Sequence, residues 1–164
     1  MKAIPVSVAD ALKMLNLPSD MAGNQIFAQH SPIVLEELEY YTTEDDFEDA
    51  TEDIEVEEPE EGEEAEAVEY SALQTSFRLA YAFLLLKSTL EFLNLRTVGQ
   101  GIVKVVGMDS SATELLTGGE IGAMQDALEM RALKVVRKYL SNEGRDRLED
   151  LMPRKARLVK AGVI

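Results

Sequence analysis

SALQTSFRLAYAFLLLKSTLEFLNL, residues 71–95, is the stretch that decides the fold. Ser71 and Gln74 have the spacing of a capping box, in which each side chain satisfies the other residue's backbone amide at a helix start. Leu73, Phe77, Ala80 or Tyr81, Leu84, Leu85, Ser88 and Phe92 then recur at helical period, so one helix is expected from about Ala72 to Leu95. Its middle, LAYAFLLL, is apolar almost all round, and such a helix has to be covered on more than one side. The expected fold class is therefore mainly α, a small helical bundle around this long apolar helix.

Upstream, Ser7 is placed to cap a first helix, with Asp10 near the positive end of its dipole and Val8, Leu12 and Leu15 at helical spacing. Pro18 is expected to end it at about Leu17. Ser31-Pro32 reads as a second helix start, because proline at the first helical position gives up an amide that has no partner there anyway. Ile33 or Val34, Leu38 and Tyr41 form its apolar stripe, with Glu36, Glu37 and Glu39 on the other side.

Downstream, TVGQGIVKVVG, residues 97–107, is β-branched and bounded by glycines, which predicts a short hairpin or an extended arm. Thr117 and Glu120 have capping-box spacing, and Ile121, Met124, Leu128, Ala132 or Arg131, Val135 and Tyr139 predict a helix of about five turns. Asn142 and Gly144 are expected to break it, and a short helix from about Arg145 to Met152 should stop at Pro153. The 164 residues are expected to form one domain, with a basic tail at 153–164.

Charge divides this chain unevenly. Its 16 Lys and Arg against 31 Asp and Glu leave a net charge of −15. Residues 44–69, EDDFEDATEDIEVEEPEEGEEAEAVE, hold 16 of the acids and no base, so the rest of the chain is nearly neutral and its C-terminal part is mildly basic. Crowded carboxylates with Pro59 and Gly62 repel one another and bury little, which predicts a flexible acidic insertion despite Phe47, Ile54 and Val56.

Several function classes lose their residues at this point. The chain has no cysteine, which removes disulfides, thiolate nucleophiles and zinc ribbons. The longest apolar run, Leu79 to Leu86, is far shorter than the roughly 20 residues that span a bilayer, so no membrane partner is expected. The N-terminus reaches Asp10 and Lys13 before any sustained apolar core, unlike a secretory signal. His30 is the single imidazole, read as a loop histidine before the Ser31 helix start and without a nucleophile to activate.

The acidic run lacks the D-x-[DN]-x-[DN]-G-x5-E pattern of a calcium loop. Gly99-Gln100-Gly101 is followed by neither G-K-[ST] nor a helix start. No catalytic residue, cofactor or metal is expected, and an enzyme is the least favoured class. The basic positions from Arg131 to Lys160 suit an acidic partner or a phosphate backbone, without the aromatic interleaving of sequence-specific DNA binding.

In their order, VSVADALKMLNL, SPIVLEELEYYT, the central helix, TVGQGIVKVVGM and GEIGAMQDALEMRALKVVRKYL resemble the small head-to-tail connector, or adaptor, proteins in the neck of tailed bacteriophages. FLNLRTVGQGIVKV is the closest local likeness, and the resemblance spans residues 5–140 with the acidic stretch as an insertion. It implies an all-α protein that closes into a homo-oligomeric ring, typically of twelve copies, docked beneath the portal protein and continuing the DNA channel to the tail or a further neck protein. DNA would pass through without specific binding, and the protein would reside in the virion neck after assembly in the host cytoplasm.

The resemblance also implies that Val98, Ile102, Val103 and Val105 form a subunit-contact arm and that a tail carrying Arg154, Lys155, Arg157 and Lys160 docks on a neighbouring protein. Unlike charges on one chain suit the two different surfaces that a closed ring needs. The alternative from another class is an acidic DNA mimic or regulatory protein, whose carboxylates occupy the basic groove of a partner.

Overall fold

The computed structural model describes residues 6–17, 25–52, 70–96, 103–106, 112–115 and 118–152, and these are mainly helical. In chain order the elements are α1 (Val8–Met14), α2 (Gln25–Tyr41), α3 (Glu44–Thr51), α4 (Ala72–Arg96), β1 (Val103–Val106), β2 (Ala112–Leu115), α5 (Gly118–Val135), a 3-10 turn (Arg137–Tyr139) and α6 (Asn142–Leu151).

The capping box at the head of α4 is formed: the Ser71 amide donates to Gln74 Oε1 at 3.0 Å and the Gln74 amide to Ser71 Oγ at 3.1 Å. From there Phe77, Ala80, Tyr81, Ala82, Leu84 and Leu85 are buried, and α4 packs against α1, α2, α3 and α5. Ala11 and Leu12 of α1, Phe27, Val34 and Leu38 of α2, Ala132 and Leu133 of α5 and Leu148 of α6 complete the same core.

Several element boundaries differ from the sequence expectation, each for an identifiable physical reason. α1 stops at Met14, before Pro18, because Asn16 takes a left-handed conformation with φ 55. The Asn16 amide then donates to the Lys13 carbonyl and the Leu17 amide to the Leu12 carbonyl, which is a Schellman stop with asparagine in the position glycine usually takes. Ser7 does cap α1, accepting from the Asp10 amide.

α2 begins at Gln25, so Pro32 lies inside it and His30 is a helical residue, not one in a preceding loop. An interior proline costs about 3 kcal/mol. Ile26 and Phe27, 3% and 0% exposed, lie on the turns ahead of it, and burying each contributes roughly 1.5–3 kcal/mol. Next to the proline, Ser31 Oγ accepts from the Tyr81 hydroxyl at 2.7 Å, which ties the weakened turn to α4.

The start of the acidic stretch is a helix, which corrects the expectation of a flexible insertion for residues 44–51. Thr43 caps α3, accepting from the Asp46 amide, and Glu44, Asp45 and Asp46 occupy the first turn, where carboxylates favour the positive dipole end. Phe47, Ala50 and Thr51 form a buried face, and the Phe47 ring stands 6.4 Å from that of Phe77. The remainder of the insertion, from residue 53, lies outside the described residues. Thr43→Ala is expected to lower stability by about 1 kcal/mol. A urea midpoint unchanged from wild type would mean that the Thr43 cap adds nothing to the folded state.

α6 begins at Asn142, with Ser141 as its cap, so Asn142 and Gly144 belong to the helix they were expected to precede. Tyr139 falls in the 3-10 turn after α5, not on the helix. Here two elbows pair: Thr42 bridges Leu140, the Thr43 amide donates to the Tyr139 carbonyl at 2.9 Å and the Ser141 amide to the Tyr41 carbonyl at 3.0 Å. The α2–α3 junction is thereby held to the α5–α6 junction.

Between α4 and α5, β1 pairs antiparallel with β2, Val103 opposite Leu115 and Val105 opposite Thr113. The second strand comes from Ala112–Leu115, downstream of the 97–107 segment read as a hairpin or arm. Among the described residues, no helix is long and apolar enough to cross a membrane.

Candidate functional site

The apolar stripe of α5 carries a carboxylate. Glu129 is 1% exposed and follows Gln125 by one helical turn, whereas Met124, read as part of the buried stripe, is 38% exposed. The stripe is thus rotated toward Ile121, Leu128, Glu129, Ala132 and Leu133.

Arg147 of α6 grips Glu129 with two bonds, Nε to Oε1 at 2.5 Å and Nη2 to Oε2 at 3.0 Å. Lys87 of α4 places Nζ 2.9 Å from Oε2 and 2.5 Å from Oε1 of Glu37 on α2. The Tyr41 hydroxyl donates to Glu129 Oε1 at 3.4 Å, and Gln125 Nε2 donates to the Lys87 carbonyl at 3.3 Å. Two cations and two carboxylates from four helices meet here, and the formal charges balance.

Burial pushes the Glu129 pKa up, and the hydrogen bonds from Arg147 and Lys87 more than reverse this, leaving the carboxyl below its ordinary value. Burial lowers the Lys87 pKa, and its bonds to Glu37 and Glu129 raise it by more. Burial and the Glu129 charge raise that of Tyr41. Both oxygens of Glu129 are already engaged, so the network fixes the mutual placement of α2, α4, α5 and α6.

Linkage gives this network a pH signature. A carboxyl whose folded pKa is depressed stabilises fully above its unfolded value, here 4.5, and that contribution is lost as pH falls through the folded pKa. The urea midpoint of the wild type is expected to drop more steeply from about pH 6 to about pH 3 than that of Glu129→Gln. Parallel profiles would show that Glu129 is not held ionised by its partners.

The residues expected to carry contacts are distributed differently. Arg154, Lys155, Arg157 and Lys160 lie outside the described residues, as do Val98 and Ile102, while Val103 and Val105 are on β1. Arg131, Lys134, Arg137 and Lys138 are exposed along the end of α5 and the 3-10 turn. Arg137 and Arg145 also border a cleft of about 190 Å³ lined by Leu140, Leu148, Glu149 and Met152.

Among the described residues no group of three or more acidic or histidine side chains could hold a metal ion. Sequence reasoning missed Glu129 because a carboxylate is ordinarily assigned to solvent. The available signal was its spacing: it falls one turn before Ala132 and Leu133 and two before Val136. Compared with known proteins, the chain matches no family model, no curated protein and no solved structure.

Proposed function

We propose that the chain is a structural subunit of a phage neck, a head-to-tail connector that closes into a ring between the portal and the tail and continues the DNA channel. One observation carries this reading: a body braced by the Glu129 network presents two unlike surfaces. On α3, Glu44, Asp45, Glu48 and Asp49 are exposed, and on the end of α5 and the turn after it Arg131, Lys134, Arg137 and Lys138 are exposed.

A ring needs heterologous contacts between different patches of identical subunits, and charge complementarity selects partner and register more than it adds affinity. The helical order, interrupted by β1 and β2 between α4 and α5, supports the same reading, with Val103 and Val105 on the contact arm. The acidic residues beyond α3 face the channel, where negative charge keeps DNA from sticking, or fringe the ring. The basic residues of the tail dock on the portal or a neighbouring subunit.

Light scattering of the purified chain with and without a tailed-phage portal protein tests the proposal. A complex containing many copies of this chain per portal ring is expected, and absence of any complex would count against it.

A second reading, the acidic DNA mimic, gains one specific observation. Mimicry requires carboxylates on a rigid scaffold, and α3 holds four exposed ones on a capped, packed helix. A stable monomer that inhibits a nuclease or polymerase would favour it over the connector.

A further inference from the structure

The strongest unused feature of the surface is the outer stripe of α2. Ile33 and Tyr40 are 57% and 63% exposed, the two most exposed large apolar side chains among the described residues. They are seven residues apart, two helical turns, so they lie on one line along α2 with exposed Glu36 between them and Glu39 beside it. Singly scattered apolar residues on a surface need no explanation, but an aligned pair flanking a carboxylate is a small amphipathic seat.

The seat is rigid. Val34 and Leu38, on the other side of the same helix, are 0% exposed. The Tyr40 ring meets that of Tyr41 edge-on at 5.4 Å, and the Tyr40 carbonyl accepts from Ser141 Oγ at 3.2 Å. A surface already fixed in its binding geometry loses little freedom when occupied.

The complementary chemistry is present elsewhere in the chain. Residues 153–164, PRKARLVKAGVI, carry Arg154, Lys155, Arg157 and Lys160 with no acid, together with Leu158, Val159, Val163 and Ile164. Twelve residues follow Met152, where α6 has ended, and they combine charge opposite to that of Glu36 and Glu39 with apolar side chains.

We propose that the Ile33–Glu36–Tyr40 stripe is the seat for residues 153–164 of a second copy of this chain. The choice of a second copy over the same one rests on the ring reading above, since a tail that reaches the next subunit makes the contact heterologous and repeatable. Tyr40 and Ile33 are the apolar anchors, and Glu36 and Glu39 set the register against the cations. Because these charges are exposed, the contact weakens as salt is raised.

Two full-length variants test this by complementation. The stripe variant, Ile33→Ser with Tyr40→Ser, alters exposed positions only, and the tail variant carries Arg157→Glu with Lys160→Glu. Circular dichroism confirms that each remains folded. In sedimentation velocity the wild type is expected to form species larger than the monomer that grow with concentration, and each variant alone is expected to stay monomeric. Mixed one to one, the tail variant supplies an intact stripe and the stripe variant an intact tail, so a species of twice the monomer mass is expected.

A stripe variant that assembles like wild type overturns the proposal. So does a mixture that remains monomeric, which would mean that the tail folds back on its own copy or binds an unlike partner. A wild type that stays monomeric at every concentration also overturns it. Open chains of copies in place of closed rings would leave the tail-to-stripe contact standing and count against the ring alone.

Discussion

Gly144→Ala is expected to lower the unfolding free energy by about 3 kcal/mol, although alanine is the better helix former by roughly 1 kcal/mol. A Cβ at this position would sit 2.1 Å from the Tyr41 carbonyl oxygen and 3.0 Å from Leu140 Cδ2. The carbonyl is backbone, and it accepts from the Ser141 amide in the paired elbows, so it cannot retreat without opening that pairing. Both helix junctions would have to move, which is the overpacking cost of a close backbone approach.

Gly122 provides the control. It lies within α5, and a Cβ added there would meet nothing within 4 Å, so Gly122→Ala is expected to stabilise by about 0.5–1 kcal/mol. Chemical denaturation of the two single variants checks both signs. Equal effects would remove the elbow contact as the reason for glycine at 144.

Arg147→Ala is expected to cost about 2 kcal/mol, below the roughly 3–5 kcal/mol range for stripping the partner from a buried charge. Lys87 continues to neutralise Glu129, and the Arg147 side chain is itself 39% exposed, which limits the loss. Without the guanidinium, one carboxylate oxygen keeps only the long bond from Tyr41. In a Glu129→Gln background the same substitution is expected to cost under about 1 kcal/mol, because no buried charge remains to be stranded. A double-mutant cycle with no coupling between the two positions would contradict the role given to the network.

The way these residues act explains what was legible in the sequence. Two local signals hold: Ser7 and Ser71 cap the helices they were expected to cap, through bonds to residues three positions on. The departures come where tertiary contacts override a local rule. Pro32 is a good first helical residue, yet Ile26 and Phe27 have core positions to fill and extend the helix past it.

Counting 16 carboxylates as one segment concealed the first eight residues, where Thr43, Phe47, Ala50 and Thr51 supply a cap and a buried face. Gly144 looks like a helix breaker in one dimension and is a contact residue in three. Glu129 and Lys87 are charges on apolar stripes, and only the partners brought by α2 and α6 reveal what they do.

The proposed function depends on those partners in the same way. With the internal charges balanced against one another, the character of the surface is set by the exposed ones, acidic on α3 and basic along the end of α5. The same bracing holds an amphipathic stripe on α2, the helix that buries Val34 and Leu38 on its other side. Such a subunit is suited to meeting copies of itself through unlike faces.

Electron microscopy of the chain mixed with a tailed-phage portal protein tests the proposed connector role most directly. Class averages are expected to show a closed ring of copies coaxial with the portal and an open central channel. Single subunits scattered on the portal, or a monomer that never joins it, would contradict the connector.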